Sequence, residues 1–90
     1  MSEEGTLSIL RRGHTYQVRY ASNYPHGRDR QPFVCPDEAT LRAMLHQCGV
    51  ASEPITQACT ELRQGRVAIL FVVLSAEQMQ TWFPPTTLPP

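Results

Sequence analysis

Apolar and polar residues alternate in two early runs of the chain. In TLSIL (6–10), Leu7 and Ile9 alternate with Ser8; in TYQVRY (15–20), Tyr16, Val18 and Tyr20 alternate with Thr15, Gln17 and Arg19. A period of two is the pattern of a strand with one buried face. The short link RRGH carries Gly13, so the two runs predict a β-hairpin. Residues 1–5 precede the alternation and are expected to form a loose arm.

After the hairpin the pattern stops. NYPHGRDR (23–30) is punctuated by Pro25 and Gly27 and reads as a loop. Gln31 to Val34 could add a brief extended segment, which Pro32 would place at a sheet edge or outside the sheet. A period of 3.6 then takes over. Leu41, Met44, Leu45 and Cys48 form one stripe in PDEATLRAMLHQCG (36–49). Pro36, Asp37 and Glu38 suit its first turn, and Gly49 its end. Ile55, Ala58, Cys59 and Leu62 repeat that spacing in SEPITQACTELRQG (52–65), closed by Gly65. VAILFVVL (67–74) is apolar on both faces of an extended chain, as expected of a strand covered twice or facing a partner. Ser75 and Gln78 form a capping-box pair before a short helix with Met79, Trp82 and Phe83 on one side. PPTTLPP (84–90) cannot continue a helix and predicts an extended tail.

The order strand, strand, helix, helix, strand, helix segregates the two kinds of element and predicts an α+β fold. We expect a small three-stranded sheet, four-stranded if 31–34 joins it. It is built on the N-terminal hairpin, with the helix pair on one face and a short C-terminal helix. One domain spans 1–83, with 84–90 as its tail. An up-down helix pair should return the 67–74 strand antiparallel to the second strand and place it innermost. If the Trp82–Phe83 helix leaves the outer face of that strand bare, an apolar patch remains, and such patches mark interfaces.

Composition narrows the classes. Ninety residues allow one core, and 41% apolar content makes it a thin one. The net charge is zero and all eight basic residues are arginine, without strong clustering. Such a chain lacks the field that draws proteins to nucleic acid or anionic membranes. The longest apolar run is far short of the ~20 residues that span a bilayer. MSEEG has no basic start before an apolar run, unlike a signal peptide. The expectation is a cytoplasmic protein in which Cys35, Cys48 and Cys59, odd in number and without a CxxC pair, are free thiols.

Candidate chemistry is sparse. Cys35 lies just before the first helix, near Arg28 and Arg30, and is the best reactive-thiol candidate, opposed by Asp37 and Glu38. Six residues separate it from Arg42, one more than a cysteine phosphatase loop needs. His46 and Cys48 are two apart on a helix and diverge by about 160°, so they do not share a metal. No phosphate loop, nucleophile elbow or HExxH occurs. No cofactor or metal is expected. The helix pair weakly matches a helix-turn-helix, but its second helix offers Glu53 and Glu61 outward before Arg63, a poor face for DNA.

The leading reading is therefore a non-catalytic interaction or regulatory module. It binds through the 23–31 loop by Tyr24, His26, Arg28 and Arg30, with Arg19 and Tyr20 at the hairpin end. A protein partner or a second copy is expected through residues 67–83, with no membrane. The alternatives are a thiol-dependent or redox-responsive protein using Cys35 and, third, a nucleic-acid binder.

Overall fold

A computed structural model describes residues 2–24 and 30–85. Four strands and three helices follow in the order β1 (Ser2–Arg12), β2 (Thr15–Ser22), β3 (Phe33–Cys35), α1 (Glu38–Gln47), α2 (Ser52–Arg63), β4 (Ala68–Ser75) and α3 (Ala76–Trp82). The fold is α+β. The described residues form one antiparallel sheet of order β3-β2-β1-β4, with the N-terminal hairpin at its centre.

The hairpin forms as the alternation requires. β1 and β2 pair from Gly5↔Ser22 to Arg12↔Thr15, leaving Gly13 and His14 as a two-residue link. Leu7, Ile9, Tyr16, Val18 and Tyr20 face inward and are buried. The expected loose arm is instead strand. Residues 2–5 have no apolar alternation, but β4 offers them a ladder running from Ser2↔Ser75 to Ile9↔Ala68. Backbone hydrogen bonding, which is blind to side-chain polarity, recruits them.

Both amphipathic helices form and bury their stripes: Leu41, Met44, Leu45 and Cys48 from the first, Ile55, Ala58, Cys59 and Leu62 from the second. The first starts two residues later than Pro36, because Asp37 is its N-cap and accepts from the Thr40 N–H at 2.7 Å. Each ends in a Schellman motif, with Val50 N–H donating to Leu45 and Arg66 N–H to Glu61, both at 3.0 Å. Gly49 (φ 87°) and Gly65 (φ 78°) supply the left-handed residue each motif needs. Arg63 of α2 makes two bonds to Glu38 of α1, at 3.0 and 2.8 Å, clamping the pair together. α1 packs on β2 and β3, and α2 on β4 and β1.

α3 starts at the expected capping box: Gln78 N–H donates to the Ser75 hydroxyl and Ser75 N–H to Gln78 Oε1. The helix lies on the same sheet face as α1 and α2. Phe83, just past its end, is fully buried and stacks on Tyr20, with ring centres 5.6 Å apart. Trp82 meets Phe33 edge-on at 5.0 Å. The chain stays docked beyond residue 83. Gln31 N–H donates to the Pro84 carbonyl at 2.9 Å, and Arg30 bridges to Pro85. The rest of the tail, 86–90, lies outside the described residues.

Two expectations about the last strand are overturned. It runs antiparallel to β1, hence in the same direction as β2, and it sits at the sheet edge rather than innermost. The cause is β3. This three-residue strand pairs antiparallel with β2 and adds one reversal of direction before the helix pair.

Candidate functional site

With all three helices on one face of the sheet, the other face of β4 is bare. Its outward residues are Ile69, Phe71 and Val73, which are 60%, 82% and 59% exposed. Val67, just before the strand, extends the stripe. Across β1 the neighbours are Ser8, Thr6 and Glu4, so the apolar stripe stops at the edge strand.

The backbone of β4 is also open. Asn23 N–H donates to the Glu4 carbonyl at 3.1 Å, so the main-chain groups of Glu4 point toward β2. Backbone groups of successive strand residues point to opposite sides. Those of Gly5, Leu7 and Ile9 therefore point toward β4 and meet their register partners Val72, Leu70 and Ala68. The N–H and C=O groups of Ile69, Phe71 and Val73 are left aimed at the free edge. The three residues of β4 with exposed apolar side chains are thus the three whose backbone hydrogen-bonding groups have no strand partner among the described residues.

The two sheet edges are built differently. β3 has only three residues and is flanked by Pro32 and Pro36, which are means of blunting an edge. β4 is eight residues long, without charge, proline or glycine, and its ladder to β1 runs through eight pairs without a bulge. None of the usual devices that keep an edge from pairing is present in it. Beside it, Pro54, Gln57, Ala58 and Glu61 of α2 line a groove of about 330 Å³ with Val67–Leu70 as its other wall.

The residues proposed from sequence do not form one site. Arg19 is exposed on the outer face of β2, while Tyr20 points into the core. Tyr24 is exposed at the end of β2. Arg30 donates to the Phe83 carbonyl at 2.9 Å, which ties its guanidinium to the docked C-terminal segment. His26 and Arg28, with most of their loop, lie outside the described residues. The Tyr20 hydroxyl is buried without a hydrogen-bond partner among the described residues. Burial, and next the Glu3 carboxylate, push its pKa up to about 12.

Cys35 is fully buried two residues before the Asp37 cap. Burial, followed by the Asp37 charge, pushes its thiol up to about 11, away from the thiolate a nucleophile needs. Cys48 is likewise pushed up to about 11 by burial and then by Cys35. It lines a second hollow of about 480 Å³ with Glu4, Asn23 and Val73. No group of three or more metal-ligating side chains occurs among the described residues. On the helix pair, Arg63 is bound to Glu38, and Arg66 lies 3.3 Å from Glu61. No helix among the described residues is long and apolar enough to cross a membrane.

These shifts have a measurable consequence. An acid whose pKa is raised by folding holds its proton more tightly in the native state, so the stability it contributes is present below the unfolded pKa. That stability is lost as pH rises, from 9.0 toward about 11 for Cys35 and Cys48 and from 10.0 toward about 12 for Tyr20. The urea midpoint should fall steadily between those limits. At neutral pH, Cys35 should react with a maleimide about a hundredfold more slowly than in the unfolded chain, from thiolate fraction alone. Native labelling of Cys35 at the unfolded rate would contradict this account.

No family model matches this chain, and no match is found among curated proteins or among solved structures. The surface therefore has to be read from its own chemistry.

Proposed function

We propose that this protein is a non-catalytic interaction module whose binding element is the open edge of β4. The observation that carries the reading is the coincidence, at Ile69, Phe71 and Val73, of exposed apolar side chains with backbone donors and acceptors that no strand among the described residues pairs. Strand addition uses both: main-chain bonds supply affinity, and alternate side chains supply selectivity. A single large aromatic at the middle of such a stripe is the usual form of a binding anchor. The thiol alternative draws no support from a Cys35 that is fully buried with a raised pKa. A nucleic-acid role draws none from a helix pair whose Arg63 is bound to Glu38 and whose Arg66 is flanked by Glu61.

The test is site-specific photo-crosslinking in the cell. A photoreactive phenylalanine analogue at position 71 preserves the size of the native side chain. The same group at Gln17, on the outer face of β2 away from β4, is the control. Position 71 should yield protein adducts and position 17 few. Equal yields from the two positions would refute the module reading.

A further inference from the structure

We infer that the strand received by β4 is the β4 of a second copy, paired antiparallel about a two-fold axis at Phe71. This inference rests on the reading of β4 as a binding edge and specifies its occupant.

The edge is self-complementary in every respect that strand pairing requires. A two-fold axis generates an antiparallel pair, and it brings each protomer's edge-directed residues against the same set on the other. With Phe71 on the axis, it meets the partner's Phe71, and Ile69 meets the partner's Val73 in both directions. All three open residues of each chain then find partners, giving six main-chain hydrogen bonds. The next register in one direction sets Ile69 against the partner's Ser75. That residue has already given its N–H to Gln78 Oε1 at 2.8 Å, so each Ile69–Ser75 pair closes with one bond instead of two. In the Phe71-centred register the pairs made by Ile69, Phe71 and Val73 all close with two.

The side chains agree on both faces. Outside, the junction joins aromatic and β-branched residues, the pairs that stabilise neighbouring strands most. Inside, Leu70 meets the partner's Val72 and Ala68 the partner's Leu74, so no polar group is forced into the seam. Charge is also complementary. The strand carries none, whereas Arg66 at one end, still largely exposed beside its own Glu61, comes opposite the partner's Ala76, next to the partner's Glu77. The two-fold repeats that opposite-charge pair at the other end. A heterologous strand would have to match this uncharged centre and these charged ends by chance; a second copy matches them by symmetry. The result is one continuous eight-stranded sheet, twice the four of a single chain. A one-strand seam lies at the small end of stable interfaces, so association should be reversible and concentration-dependent.

The experiment uses the full chain. Sedimentation over a wide concentration range should show the mass doubling. Phe71→Lys, at a position 82% exposed, should leave the thermal midpoint of the dilute monomer unchanged and weaken association at least tenfold. Register is read by oxidative trapping. Phe71→Cys alone should form a disulfide dimer, because residues directly opposite at a hydrogen-bonded pair are about 5.5 Å apart at Cα. Ile69→Cys alone should not, but mixed with Val73→Cys it should. A monomer at all concentrations, a dimer indifferent to Phe71→Lys, or self-trapping of Ile69→Cys as efficient as that of Phe71→Cys would each overturn the inference. If the isolated protein is monomeric while position 71 still captures proteins of other masses in the cell, self-pairing falls and the module reading stands. Failure of both experiments removes both.

Discussion

Replacing Phe83 by alanine should cost about 3–5 kcal/mol of stability, the range for deleting a buried aromatic ring. Phe83 is fully buried although it follows the last helix and precedes a proline-rich segment. Its ring covers Tyr20, and its carbonyl accepts from Arg30, so the side chain joins the sheet, α3 and the 30–31 segment. The carbonyl survives the substitution, but the ring and its stacking do not. Surrounding side chains come from both sheet and helices and cannot all collapse into the space, so a cavity cost adds to the lost burial. A domain this small has roughly 5–15 kcal/mol in total, so the variant should lose between about a fifth and all of it. The urea midpoint should drop with little change in slope. Trp82→Ala, at a half-buried neighbour, should cost less. A Phe83→Ala loss below about 1 kcal/mol would mean that the C-terminal segment is not part of the core.

The second large effect is expected at Gly5. A Cβ there would overlap Cε2 and Cζ of Tyr20, whose ring reaches across the sheet from the register position of Leu7. An exposed ring would swing aside at little cost. This one is sandwiched between Gly5 and Phe83 and is only 8% exposed. Alanine is otherwise the better strand residue, since it removes the entropy glycine loses on folding, a gain of about 0.5–1 kcal/mol. Overpacking in a filled core costs about 1–3 kcal/mol, so the clash should win and Gly5→Ala should destabilise. In a Tyr20→Ala background the same change should become neutral or favourable, a coupling that a double-mutant cycle isolates. Destabilisation of equal size in both backgrounds would place the cause elsewhere than the ring.

Much of the fold was legible before any coordinates. The hairpin, both helix stripes, the ends of those helices at Gly49 and Gly65, and the Ser75–Gln78 box all follow from residues within a few positions of one another. Pro32 left 31–34 either an edge or a place outside the sheet, and pairing with β2 decided for the edge. The binding surface was legible only in part. The apolar excess of 67–74 raised the prospect of a bare face, but the stretch reads equally as a strand buried on both sides. Attention to Tyr24, Arg28 and Arg30 followed residue type, which does not report that Arg30 is tied to Phe83 or that Arg19 and Tyr20 point to opposite faces. The direction of β4, though not its edge position, was open to a count of chain reversals: admitting 33–35 as a strand turns it antiparallel to β1.

What the amino-acid order determined by itself is which residues are buried together: side-chain periodicity is a local property, and water sorts it the same way wherever the element lies. What only the tertiary structure decided is which strand is left at the edge. Strand order depends on backbone hydrogen bonds between segments far apart in the chain, and those bonds carry no side-chain signature. The polar residues 2–5 were drawn into the sheet by the unpaired backbone of β4, and β4 in turn kept its other side open because no segment among the described residues pairs with it.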